Sequence, residues 1–183
     1  MSIKFVILGY LSWRPLTGYD LKKIIAASEI LPWSANNNQI YRALVQLHEE
    51  GWVDKRVENQ ESAPDRHIYT ATAAGVEGLR EWARSEPRIP FARKDFLHQL
   101  LWADCLDREE IDRLLEAYLD EVSNQLFLLR VQADRKPDRP DRTPREDFLW
   151  ERVYKNWIAQ YEAEVAWIRE TRRELTARPE RWG

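Results

Sequence analysis

Asn36-Asn37-Asn38-Gln39-Ile40-Tyr41-Arg42-Ala43-Leu44-Val45-Gln46-Leu47, within the longer stretch from Trp33 to Asp65, decides how this chain folds. Ile40, Leu44 and Leu47 recur at helical spacing and predict a face turned to a core. Asn38, Arg42 and Gln46 recur every fourth residue on another, polar face. Asparagine is a poor interior helix residue but a good cap, because its amide competes for nearby backbone groups. Amides at a helix start can also hydrogen-bond base edges or phosphates. Gly51 stops the helix after Glu49-Glu50. Trp52 to Val57 and Arg66 to Thr70 then read as strands. The polar loop between them, Glu58 to Asp65, contains Pro64.

Upstream, Ile3, Val6, Ile7, Tyr10 and Leu11 form one apolar stripe, so residues 2 to 12 are expected to be a short helix. Arg14-Pro15 breaks it. Thr17-Gly18-Tyr19-Asp20 has the spacing of a capping box, with Thr17 as cap and Asp20 as its reciprocal acceptor. The helix it opens is expected to reach about Ser28. Leu21, Ile24 and Ile25 face inward, and Tyr19, Lys22 and Lys23 face elsewhere. Pro32-Trp33 separates it from the next helix, which starts near Asn36. Two short helices, the second polar at its start, followed by a hairpin, predict a winged helix-turn-helix: mainly α, with a small β-hairpin wing.

Downstream, Thr72 caps a further helix whose buried face is expected at Val76, Leu79 and Trp82. Pro87 and Pro90 mark the clearest boundary, which places one domain at 1–86 and a second at 92–183. The second half reads as entirely helical. Phe96, Leu97, Leu100 and Leu101 predict a short helix ending near Asp104. Asp107-Arg108-Glu109-Glu110 has capping-box spacing and precedes a long stripe: Ile111, Leu114, Leu115, Tyr118, Val122, Leu126 and Leu129. Lys136 to Pro144 is expected to be a loop. Thr143-Pro144-Arg145-Glu146 restarts a helix with a capping box and with proline at the first helical position. That helix carries Trp150, Tyr154, Trp157, Tyr161, Val165 and Ile168. The two stripes predict an antiparallel helical hairpin, with more apolar face than one partner helix covers, hence a second subunit.

The 183 residues are 44% hydrophobic and 32% charged, the composition of a folded protein. No apolar run approaches the roughly 18 residues of a membrane span. Met1-Ser2-Ile3-Lys4 and the stretch after it lack a cleavage pattern, so a cytosolic location is expected. Cys105 is the only cysteine, which excludes an intrachain disulfide. His48, His67 and His98 have no metal-ligand spacing with one another or with Cys105. Neither a nucleophile elbow nor a phosphate loop occurs. No enzyme, metal or cofactor is therefore expected. The net charge of -3 makes no global case for nucleic acid, so any such case rests on local placement of basic groups.

Several segments together resemble the PadR family of bacterial transcriptional regulators. They are Ile7-Leu8-Gly9-Tyr10-Leu11, Pro15-Leu16-Thr17-Gly18-Tyr19-Asp20-Leu21, Gln39-Ile40-Tyr41-Arg42-Ala43-Leu44 with Leu47, Glu49-Glu50-Gly51-Trp52-Val53, and Tyr69-Thr70-Ala71-Thr72-Ala73-Ala74-Gly75. They cover nearly all of residues 3 to 85. The second half, from Asp95-Phe96-Leu97 through Trp102-Ala103-Asp104 and the two long helices, is similar to the virulence-activator-type C-terminal domain of one family branch. The resemblance implies a homodimer that binds an inverted repeat in double-stranded DNA, usually as a repressor. It also implies dimerising C-terminal helices that sometimes respond to small aromatic or hydrophobic effectors. Two departures bear on the operator contact: Arg42 stands where the family often has proline, and Ala63-Pro64-Asp65-Arg66-His67 is less basic than many wings.

On this reading the DNA-contacting residues are Tyr19, Lys22, Lys23, Asn36, Asn37, Asn38, Gln39, Tyr41, Arg42, Lys55, Arg56, Arg66 and His67. Each has a plainer alternative: Tyr41 half-buried under its helix, the asparagines as caps, the lysines and arginines as ordinary surface charges. Glu49 and Glu50 would repel DNA, so that end of the helix should point away. Trp102, Trp150 and Trp157, with Trp167, either line an effector cavity or fill a dimer core. The rival to DNA binding is a winged helix that binds protein, with the helical domain as scaffold.

Overall fold

The computed structural model describes residues 3–31, 37–58, 65–87, 94–134 and 143–178. The chain divides into two compact units, Met1–Arg88 and Ile89–Gly183. It is mainly helical, with one small antiparallel sheet.

In the first unit, α1 (Ile3–Leu11) buries Ile7, Leu8 and Leu11. β1 (Leu16–Thr17) leads directly into α2 (Gly18–Ala26), and α3 (Asn37–Glu49) follows. β2 (Val53–Glu58) and β3 (Arg66–Ala71) make the hairpin, and α4 (Ala73–Arg84) closes the unit. The sheet has three strands in the order β1-β3-β2, where the sequence suggested two. β1 is two residues long, too short to show any periodicity. Its register, Leu16 opposite Tyr69 and Thr17 opposite Ile68, ties the start of α2 to the wing. Thr17 is also the cap of α2: its hydroxyl accepts from the Asp20 amide at 3.1 Å, and its own amide donates to the Asp20 carboxylate at 3.0 Å.

The core joins α1, α2 and α3. Ile7, Leu8, Leu21, Ile40, Leu44 and Leu47 are fully buried, each worth about 1.5–3 kcal/mol against exposure. The end of α3 is a Schellman turn. Gly51 takes φ 71°, its amide donates to the His48 carbonyl at 3.0 Å, and the Trp52 amide donates to the Leu47 carbonyl at 2.8 Å. Thr72 clamps this turn to α4: its amide donates to the Trp52 carbonyl at 3.0 Å and its hydroxyl to the Gly51 carbonyl at 2.8 Å.

The buried face of α4 differs from expectation. Gly75 and Gly78 are its buried residues, Val76 and Leu79 are half-buried, and Trp82 is exposed. The cause is steric. A Cβ on Gly75 would stand 2.1 Å from the Trp52 carbonyl oxygen, and one on Gly78 would stand 2.8 Å from the Trp52 ring. Close approach, which apolar periodicity does not register, sets the face. Trp82 instead stacks on Phe5 with ring centroids 4.8 Å apart. Helix α2 also stops earlier than Ser28, at Ala26.

In the second unit, α5 (Asp95–Leu101) is followed by a 3-10 turn (Ala103–Cys105), so the helix expected to reach Asp104 ends sooner. Phe96 is buried, while Leu97 and Leu101 are exposed. Helices α6 (Arg108–Asp134) and α7 (Pro144–Ala177) pack together as an antiparallel hairpin. Both begin with the expected caps. The Glu110 amide donates to the Asp107 carboxylate at 2.8 Å, and the Thr143 amide donates to the Glu146 carboxylate at 2.7 Å. Leu115, Val122, Leu126, Val165, Ile168 and Leu175 form the seam. Across it, Arg172 donates two bonds to Asp112, at 2.7 and 2.8 Å. Phe96 stacks on Tyr118, whose hydroxyl donates to Glu164 at 2.9 Å, and Lys94 pairs with the same carboxylate.

The hairpin leaves apolar surface uncovered: Phe127 is 64% exposed and Phe148 56%, beside exposed Leu128, Leu149 and Val153. Among the described residues no helix is long and apolar enough to cross a membrane. The Pro32-Trp33 connection, the wing tip, Pro90 and most of Lys136 to Pro144 lie outside the described residues.

Candidate nucleic-acid interface

The side chains that the sequence nominates lie on α2, α3 and the wing of the first unit, and Tyr19, Tyr41, Arg66 and His67 among them line one groove. On α3, Ile40, Ala43, Leu44 and Leu47 turn inward, which leaves Asn38, Gln39, Tyr41, Arg42 and Gln46 exposed. Tyr41 is 48% exposed. It is neither free of the fold nor buried by it, because its ring rests on Gly18 at the first position of α2. Asn36, and the side chain of Asn37, fall outside the described residues.

Helix α2 adds exposed Tyr19 and Lys23 and half-buried Lys22. The Lys23 ammonium lies 4.6 Å from the centroid of the Tyr19 ring, four residues back on the same helix. Such a contact holds both tips in place while leaving the charge accessible. In the wing, Lys55 and Arg56 on β2 and Arg66 and His67 on β3 are all exposed. Lys55 pairs with Tyr69 and Val57 with His67, so these four share one face; Arg56 and Arg66 belong to the other by alternation.

Between α2, α3 and the wing runs an open groove of about 480 Å³, lined by Thr17, Gly18, Tyr19, Asp20, Tyr41, Asp65, Arg66, His67 and Tyr69. A second groove, of about 370 Å³, lies beside Arg14, Pro15, Asp20 and Lys23. Asp20 stands at both. Partial burial raises its pKa, but hydrogen bonds from Thr17 and the Arg66 and Arg14 charges outweigh that, so the carboxyl sits below its ordinary value and is ionised at neutral pH. Arg66 Nη2 lies 3.6 Å from Asp20 Oδ2. Burial, and then the neighbouring Tyr41, push the Tyr69 phenol up, so it remains a neutral hydrogen-bonding group.

Sequence reasoning missed Gly18 as the seat of Tyr41, Tyr69 as the floor of the groove, and Asp20 as the partner of Arg66. No local signal announces these, since each contact joins distant segments. At the far end of α3, Glu50 pairs with Lys4 and accepts from Gln46 at 2.8 Å. The Lys4 bond chiefly holds the Glu50 carboxyl below its ordinary range.

In the second unit, Trp102 is 80% exposed. Trp150 packs against Tyr154, and Trp157 against Tyr161, each pair on the same helix. One copy of the fold therefore does not enclose Trp102. Among the described residues no group of three or more His, Cys, Asp or Glu side chains is placed to hold a metal.

Residues 7–81 match the Transcriptional regulator PadR-like family, and residues 92–176 match the family described as Virulence activator alpha C-term. The negative transcriptional regulator PadR of Bacillus subtilis is 32% identical over 125 residues, which are 68% of this chain and 69% of that protein. The crystal structure of Bacillus subtilis PadR in complex with operator DNA superposes with a TM-score of 0.81 at 25% identity, covering 94% of this chain and 98% of that one. Its complex with p-coumaric acid has a TM-score of 0.78 at 24% identity, covering 95% and 98%.

Proposed function

The chain belongs to the PadR-like family of transcriptional regulators, and on that premise we propose that it is a repressor that binds an inverted-repeat DNA operator as a homodimer. The observation that carries this reading is the exposed polar face of α3, flanked by the cations of α2 and the wing. Its relative from Bacillus subtilis is a negative regulator, solved on operator DNA.

In this reading α3 enters the major groove. Arg42, Tyr41, Asn38 and Gln39 meet base edges, together with Asn36 and Asn37, which precede them in the sequence. Tyr19, Lys22 and Lys23 rest on the flanking backbone. Lys55 and Arg56 reach the adjacent backbone, and His67 lies at the root of the wing beside Arg66, whose charge faces Asp20. Residues 1–86 supply DNA binding and residues 92–183 supply the dimer. The exposed Phe127, Phe148, Leu149 and Val153 supply the self-association surface.

A small aromatic or hydrophobic effector is proposed among the helices that carry Trp102, Trp150 and Trp157. Bacillus subtilis PadR has been solved with p-coumaric acid. An effector that prefers a dimer geometry unable to span both half-sites releases DNA in proportion to its differential affinity. The protein acts in the cytoplasm, and no catalytic step is assigned to it.

The test is binding of the full chain to its own upstream DNA and to random duplex across a salt series. The expected result is a specific excess and an affinity that falls linearly in log salt. Absence of salt-dependent binding to either DNA overturns the reading and favours a winged helix that binds protein.

A further inference from the structure

We propose, resting on the DNA-binding reading above, that Asp20 is a specificity-determining residue: it holds the charge of Arg66 back from indiscriminate phosphate contact. Arg66 is the first residue of β3, at the root of the wing. One carboxylate meets its charge, and two more stand nearby along the chain and across the hairpin. Asp20 Oδ2 lies 3.6 Å from its Nη2. Glu58 is its cross-strand partner, so both side chains leave the same face. Asp65 precedes it and lines the same groove.

Asp20 is placed independently of Arg66. The Thr17 amide donates to its Oδ2 at 3.0 Å and the Thr17 hydroxyl at 2.6 Å, as part of the cap of α2. The carboxylate is thus a fixed feature of the helix start, to which the wing arginine comes. The pair is too solvent-exposed to matter greatly for folding, since the side chains retain 50% and 34% of their surface. Its main consequence falls on what approaches from solvent.

That approaching group is a polyanion. Non-specific DNA affinity comes almost entirely from cations that displace counterions at phosphates. An arginine facing a fixed carboxylate adds less to that than an arginine standing alone. Base-edge contacts made from α3 are unaffected. Withdrawing one wing cation therefore lowers non-specific affinity more than operator affinity, and so raises the ratio that governs site selection. Asp20 acts through Arg66 and is a positioning residue.

The experiment is a salt titration of the full chain against random-sequence duplex, with the slope of log affinity on log salt as readout. The variants are Asp20→Asn, Asp20→Glu, Arg66→Gln and the Asp20→Asn/Arg66→Gln pair, each checked by thermal melting. The Asp20→Asn change keeps an amide oxygen for the Thr17 amide but removes the charge. Asp20→Asn should steepen the slope by about 1 and tighten random-duplex binding several-fold. Asp20→Glu restores both charge and cap and should behave as wild type. Arg66→Gln alone should leave the slope nearly unchanged, and the double variant should match it. If Arg66→Gln by itself flattens the slope by about 1, Arg66 already grips phosphate and the proposal is wrong. Equal steepening by Asp20→Asn with and without Arg66 also overturns it, since only a lost negative charge would then be at work. Should Asp20→Asn fail to fold, the Arg66→Gln and Asp20→Glu slopes still decide. A wild-type chain that binds no duplex removes the DNA reading itself, and this refinement with it.

Discussion

The ring of Tyr41 lies over Gly18: a Cβ on that glycine would stand 2.6 Å from Tyr41 Cε1. The colliding atom is the far end of a flexible side chain, so Gly18→Ala should move the ring at little energetic cost. Melting is expected to change by no more than about 1 kcal/mol, while operator affinity drops because Tyr41 leaves its position. Gly75→Ala is the contrast. Its Cβ would meet the Trp52 carbonyl oxygen at 2.1 Å, and backbone cannot swing aside. A loss of about 3 kcal/mol is expected there. Melting both variants beside a binding titration separates the two cases; equal destabilisation would contradict this account.

Arg42→Ala should weaken operator binding by about 1–3 kcal/mol and leave the melting curve unchanged. Arg42 is exposed on α3, one turn beyond Asn38 and away from the buried Ile40–Leu44–Leu47 face. A titration at fixed salt reads it. Unaltered affinity would strike Arg42 from the contact residues.

A chain ended at Arg84 should sediment as a monomer and bind the operator poorly. The exposed Phe127, Phe148, Leu149 and Val153 all lie in the second unit. Without them the gain from linking two weak half-site contacts disappears. A stable dimer of the shortened chain would show that self-association lies elsewhere.

Stability of the α6–α7 hairpin should fall in acid through Asp112. The bidentate bond from Arg172, opposed by partial burial, holds the Asp112 carboxyl below its ordinary value of 3.8. A carboxyl whose folded pKa is depressed contributes stability above its unfolded pKa and loses it as pH falls through the folded one. Asp112→Asn should therefore melt lower than wild type near neutrality, by a modest amount because the side chain is 37% exposed. The gap should begin to narrow as pH falls past the ordinary value of 3.8 and should vanish only below the lower folded-state value. A gap independent of pH would assign the effect to packing.

Tryptophan fluorescence, titrated with a panel of aromatic compounds, tests for the proposed effector. An effector must quench fluorescence and weaken operator binding together. Trp157→Ala should reduce both effects while the dimer persists. Quenching with unchanged DNA affinity would leave a binding pocket without a regulatory role.

Local signals were enough for most of the architecture. Three capping boxes, at Thr17, Asp107 and Thr143, could be read from residue spacing because each closes within four residues and needs nothing from the rest of the chain. The apolar faces of α3, α6 and α7 were legible for the same reason: helical period forces burial on one side. Tertiary structure decided what depends on close approach between distant segments. Strand β1 exists only because β3 pairs with it. The buried face of α4 belongs to two glycines because the Trp52 backbone and ring come within reach of them. In the site, the sequence nominated cations and amides by type. It could not tell that Tyr41 would rest on Gly18, or that Arg66 would meet Asp20, because charge pairing and ring packing follow the path of the chain in space. Residue type therefore pointed to DNA, while the fold determined which side chains are held in place and by what.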